Sequence, residues 1–127
     1  MRCLVKERTQ RGGAVCMAKH EFGIMQKNPG LWEQFNSYEP ERYHCIAIDD
    51  DIIAPLLSDF QQIDCYWHTL QRKEKGLAYW GITLLPPESL EIFIKVFTKQ
   101  NAEKLFPLIY LMKAAKAEEK YAIHFGI

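Results

Sequence analysis

Histidine at positions 44, 68 and 124, four cysteines and an aspartate run at 49–51 are the side chains through which this chain could do chemistry. An imidazole can pass a proton near neutral pH or ligate a metal, and its neighbours decide which. Along an extended strand successive side chains alternate between faces. On that rule Tyr66 and His68 share a face, Tyr79, Gly81 and Thr83 share another, and His124 lies opposite Ile123 and Phe125, between Ala122 and Gly126. If Trp80, Ile82, Leu84, Ile123 and Phe125 face the helices, the opposite surface gathers Tyr66, His68, Tyr79, Thr83 and His124 around the small residues Ala47, Gly81 and Gly126. That is the composition of a shallow aromatic and polar pocket for a ligand or partner. The competing reading is that these residues bond one another, or lie beneath the N-terminal segment.

Other chemistries find less support. A metal centre needs three or four converging ligands. His44, Asp64, Cys65, His68 and His124 offer the types without a recognised spacing, and strand neighbours such as His44 and Cys45 point to opposite faces. Neither a metal nor another cofactor is expected. Cys65 with His68 is the one close pairing of nucleophile and base, but three residues apart on a strand they also face opposite ways. Asp49-Asp50-Asp51 lacks the glycine and later glutamate of a calcium loop and reads as capping charge at a helix N-terminus. Gly12-Gly13 lacks the lysine and hydroxyl of a phosphate-binding loop.

Charge and hydropathy narrow the field further. Sixteen basic and sixteen acidic residues cancel, giving no overall attraction to nucleic acid or anionic lipid. Arg72, Lys73 and Lys75 form one loop with Glu74 among them and not a basic stripe. The longest apolar runs, such as Ile82 to Leu85, fall far short of the roughly 20 residues needed to cross a bilayer. Four scattered cysteines suit reduced thiols in a cytoplasmic protein.

The elements that must position these residues follow from periodicity. Glu21 to Met25 is expected as an edge strand, ended by Lys27-Asn28-Pro29-Gly30. Trp32 and Phe35 suggest a short helical turn within Leu31 to Tyr38. Tyr43 to Asp49 reads as a strand, followed by a helix through Ile52, Ile53, Leu56, Leu57 and Phe60. Cys65 to Leu70 and Leu77 to Leu85 should pair as an antiparallel hairpin around a polar loop at 71–76. Pro86-Pro87-Glu88 opens a helix through Leu90, Phe93, Ile94 and Phe97, and a last helix with Asn101 as cap breaks near Pro107. Tyr121 to Ile127 closes as a strand with Tyr121, Ile123, Phe125 and Ile127 on one side. Consecutive helices after a hairpin indicate an α+β fold, a single layer of mostly antiparallel sheet packed against about three helices.

Residues 1–16 differ from the rest, with four basic residues against one acidic, a Gly12-Gly13 break and no periodicity, and are expected to be disordered or loosely attached. Residues 17–127 should form one domain, with 12 basic and 15 acidic residues and a net charge of −3. The strings His20-Glu21-Phe22-Gly23-Ile24-Met25, Tyr66-Trp67-His68-Thr69, Lys75-Gly76-Leu77-Ala78-Tyr79 and Ile123-His124-Phe125-Gly126-Ile127 together resemble a group of short bacterial proteins of about this length. The likeness covers Met17 to Ile127. No activity is established for that group, so the resemblance implies a cytoplasmic single domain and transfers no residue roles.

The leading functional expectation is a non-catalytic binding module for a protein partner or small ligand, with a neutralising partner of immunity-protein type as one concrete form. The alternatives are a small enzyme with His68 and His124 as acid and base, and a self-associating domain with Trp67 or Trp80 at a dimer seam. Translation beginning at Met17 is a further expectation, and the intact mass of the protein from its native host checks it.

Overall fold

Which surface of the hairpin faces the helices decides where every polar side chain ends up. In the computed structural model, which describes residues 18–127, the strands are β1 (Lys19–Ile24), β2 (Ile46–Asp49), β3 (Asp64–Trp67), β4 (Lys73–Lys75), β5 (Ile82–Leu85) and β6 (Ala122–Phe125). They form one antiparallel sheet in the order β2-β1-β6-β5-β3-β4. Three helices accompany it: α1 (Asp50–Ile53), continued as a 3₁₀ turn through Ala54–Phe60, α2 (Pro87–Asn101) and α3 (Phe106–Ala117). The fold is α+β, as the element order implies. The expectations for residues 1–16 lie outside the described residues.

Strand alternation divides the core in two. On one face Phe22, Ile48, Cys65, Leu85 and Ala122 pack with Leu90, Phe93, Phe97, Leu108 and Met112 of α2 and α3. On the other, Ile82, Leu84, Ile123 and Phe125 pack against Met25, Phe35 and Tyr43, with Tyr38 and Tyr66 alongside. The apolar set of β5 and β6 therefore turns away from the helices and toward the segment joining β1 to β2. That segment contains one 3₁₀ turn, Pro40–Tyr43. A sheet with both faces covered has no polar surface at its centre, so the reversal moves the expected pocket into the interior.

Several local expectations change with it. β1 lies between β2 and β6 and is not an edge strand. Its Gly23 marks a close approach: a Cβ there would stand 2.6 Å from the Tyr43 carbonyl oxygen and 2.9 Å from Cys45 Sγ. The stretch from Leu31 to Tyr38 forms no helix, and Phe35 is anchored through its backbone, its N–H donating to the His68 carbonyl at 2.7 Å. The polar loop after β3 contains an edge strand of its own, β4, whose Lys-Glu-Lys sequence suits an exposed sheet margin. Pro87 opens α2 and Pro107 sits in the first turn of α3; Asn101 is the last residue of α2 and not the cap of α3, a position held by Leu105, and its Oδ1 accepts from the Lys104 N–H at 3.2 Å. No helix among the described residues is long and apolar enough to cross a membrane.

The loop between β4 and β5 docks on the end of β6. Ile127 N–H donates to the Tyr79 carbonyl at 3.0 Å and Gly126 N–H to the Gly81 carbonyl at 2.8 Å. A Cβ on Gly126 would lie 2.1 Å from the Tyr79 carbonyl oxygen and 2.7 Å from that of Ala78, both backbone atoms. Gly126→Ala is therefore expected to destabilise the fold by about 2 to 3 kcal/mol, read as a lowered midpoint in urea denaturation with an unchanged slope.

Candidate functional site

His20 of β1 and His124 of β6 point to the helix face, and both rings are wholly out of contact with solvent, at 0% exposure. Register brings them together: His124 pairs across to Phe22 on one side and to Thr83 on the other, placing His20 as its diagonal neighbour. A buried polar atom must find a partner inside the protein. His124 Nε2 lies 2.9 Å from His20 Nδ1, and His20 Nε2 lies 2.8 Å from Asp50 Oδ1. His124 Nδ1 is 3.2 Å from Thr83 Oγ1, which accepts the Ala78 N–H at 2.7 Å. At the other end the Tyr79 hydroxyl donates to Asp50 Oδ2 at 2.8 Å.

The donors assign themselves from the carboxylate outward. Ionised Asp50 only accepts, so His20 Nε2 carries a hydrogen. In a neutral ring its Nδ1 then accepts from His124 Nε2–H, and His124 Nδ1 accepts the Thr83 hydroxyl hydrogen. Every one of these groups is satisfied with both imidazoles neutral. The chain begins at the Ala78 amide, runs through the interior and ends at Asp50, whose side chain is 21% exposed.

Of the five side chains expected to share a pocket, Tyr79, Thr83 and His124 do meet, while Tyr66 and His68 lie across the sheet. Tyr66 pairs with Leu84 and Trp67 with Thr83, so Tyr66 falls in the cluster beneath the β1–β2 segment. His68 leaves the strand with a left-handed φ of 67°. Its Nδ1–H donates to the Phe35 carbonyl at 2.9 Å, and its Nε2 faces the Ile82 amide at 3.4 Å. Gly81 makes room for this ring, since a Cβ there would stand 2.7 Å from His68 Nε2. His68 is thus a fastening between segments, and it forms no pair with His124.

Two members were missed by strand alternation. His20 was visible as a histidine in an apolar strand, but its partner lies 104 residues away. Asp50 was visible only within the aspartate run. Asp49 makes no side-chain capping bond and pairs with Lys19, while Asp50 turns inward to His20 and Tyr79. The run still places negative charge at the start of α1, yet its side chains serve neighbouring elements instead of capping.

Electrostatics agree with a proton-rich, non-nucleophilic site. Burial, with the hydrogen bond to Asp50 second, pushes the Tyr79 phenol up to about 12. Burial also pushes the Cys45 and Cys65 thiols up to about 12, leaving neither as a thiolate at neutral pH. Among the described residues, no three His, Cys, Asp or Glu side chains are arranged to hold a metal ion. Comparison with protein-family models, curated proteins and solved structures gives no match for the chain, so the site is read from its own geometry.

Thr83→Val keeps the side-chain shape while removing an acceptor for Ala78 and a donor for His124. It should cost about 1 to 3 kcal/mol, whereas Thr83→Ser should recover most of that in the same denaturation experiment. Tyr79 adds a pH dependence. Its folded value of about 12 lies above the ordinary 10.0, so between those limits the folded state holds more protons than the unfolded chain. The stabilisation is present in full below about pH 10 and is lost as pH rises toward 12. Tyr79→Phe should flatten that decline in denaturation midpoints measured across alkaline pH.

Proposed function

We propose that the protein is a non-catalytic binding module that engages a protein partner through the loop carrying Tyr79 and Trp80. One observation carries this reading: Trp80 is 72% exposed although the backbone on either side of it is tightly held. Ala78 is bonded to Thr83, Gly81 N–H donates to the Ala78 carbonyl at 3.1 Å, and Tyr79 is tied to both Ile127 and Asp50. Trp80 rests edge-on against Tyr79, with ring centroids 4.9 Å apart. A large aromatic held in place before binding loses little conformational freedom on contact, which is the character of an interface anchor.

A second exposed tryptophan is held in a comparable way. Trp32, 75% exposed, sits on the segment that is fastened to the turn after β3 through Phe35–His68 and Gln71–Leu31 hydrogen bonds. His68 bonds in turn to Ile82, next to the Trp80 loop. A neutralising partner of immunity-protein type is one concrete form of this function, in keeping with the mildly acidic charge of residues 17–127. Trp67 serves differently, donating its indole N–H to the Gly76 carbonyl at 2.9 Å beneath Arg72. Acid and base catalysis by His68 and His124 acting together has no support in their placement on opposite faces.

The test is purification of tagged full-length protein from its native host beside Trp80→Ala. Wild type should carry one stoichiometric partner and the variant should lose it, with stability changed by no more than about 0.5 kcal/mol, as for an exposed side chain. Retention of the partner by the variant would place the interface elsewhere. A wild type that elutes as a bare monomer would refute the reading, and a dimer by light scattering would replace it with self-association.

A further inference from the structure

The polar chain that holds the Trp80 loop is built from groups that titrate, and its wiring limits what it can do. Asp50 at the solvent end fixes a hydrogen on His20 Nε2, and the remaining bonds follow in one direction as far as Thr83. Suppose one proton enters. The site that best accommodates it is His20, whose charge then faces the Asp50 carboxylate at 2.8 Å. With both nitrogens of His20 donating, His124 Nε2 must accept. Its hydrogen moves to Nδ1, which now donates to Thr83 Oγ1.

The Thr83 oxygen then receives two N–H groups, from His124 and from Ala78, and its own hydrogen loses the acceptor it had. No heavy atom needs to move for the His20–His124 and His124–Thr83 links to reverse, while the Asp50–His20 link keeps its direction. All the mismatch arrives at Thr83, the group that holds the Ala78 amide. A second proton has no place, because two N–H groups would confront each other across the 2.9 Å between the rings.

The surroundings favour this one-proton behaviour. The described groups facing the rings are Asp50 of α1, the Tyr79 phenol, and Thr83 of β5, with Phe22 at a ring distance of 4.9 Å from His124. The Lys19–Asp49 ion pair belongs to the opposite face of β1 and β2. Over the helix face, α2 and α3 contribute apolar side chains such as Phe93 and Met112 to the core.

We infer that His20 and His124 share a single exchangeable proton, and that taking it up loosens the Ala78–Thr83 link and so regulates how the 77–81 loop presents Trp80. Its biological meaning rests on that loop being the contact surface. Its physical content does not, because the proton and the amide can be followed in the isolated full-length chain.

The experiment is a nitrogen-15 NMR titration from about pH 8 to 5, the span in which imidazoles change charge. The ring nitrogens of His20 and His124 should shift together in one step that totals one proton for the pair. The Ala78 amide should move with the same midpoint. In Thr83→Val the rings should still titrate while the Ala78 amide stops following, and Thr83→Ser should restore the coupling. Two separate one-proton steps, rings that do not titrate in this range, or an Ala78 amide that stays fixed while they do would each overturn the inference. None of these readouts depends on a partner, so loss of the Trp80 interface reading would leave them to stand or fall separately.

Discussion

Two imidazoles removed from water must give every nitrogen a partner, and much of this structure follows from that requirement. The chain of bonds joins β1, β6, β5, the start of α1 and the loop before β5, which are otherwise separated by up to 104 residues of sequence. It also fixes register. A slip of β6 by one residue would carry His124 to the face occupied by Phe125 and Ile123, away from its bonds to His20 and Thr83. Apolar packing alone tolerates rearrangement, whereas a buried hydrogen-bond chain accepts few alternatives.

The two faces of the sheet are closed by different means. Helices α2 and α3 cover one with a regular apolar stripe, so that side can be recognised from spacing. The segment between β1 and β2 covers the other with isolated large residues, Phe35, Tyr38 and Tyr43, tied down by backbone bonds and one 3₁₀ turn. Both exposed tryptophans lie on irregular segments held by polar fastenings, His68 for one and the His20–His124 chain for the other. Rigid presentation of a mobile type of backbone is what these fastenings share.

Elements were legible in the sequence where a single period dominates. The α2 stripe at Leu90, Phe93, Ile94 and Phe97, the proline start of that helix, the β3–β5 pairing and the alternation of Ile123 with Phe125 all appear as their spacing implies. Orientation was not legible, because alternation says which residues share a face and not which layer covers it. With the covering layers exchanged, Tyr66 and His68 separate from Tyr79, Thr83 and His124. His20 and Asp50 escaped notice for another reason. One sits in a strand whose central position is set only by pairing with β2 and β6, and the other in an aspartate run whose capping signal is genuine at the level of charge but whose side chains bond elsewhere. Trp80 looked like core on composition, and its exposure depends on the tight turn of Ala78 to Gly81.

The strand order carries a consequence for how the molecule comes into being. β1 and β6, the first and last strands among the described residues, are neighbours in the middle of the sheet. During synthesis β1 and β2 can form a hairpin early, and β3, β4 and β5 can form a second patch, but the two have no shared boundary until residues 122–125 arrive to be placed between them. Such a topology has long-range contacts at its centre and is slow to close. Until β6 is in place the chain holds two half-sheets with open inner margins, unpaired strand edges that invite wrong pairing. The sixth strand acts as a keystone, joining two half-sheets that share no other boundary.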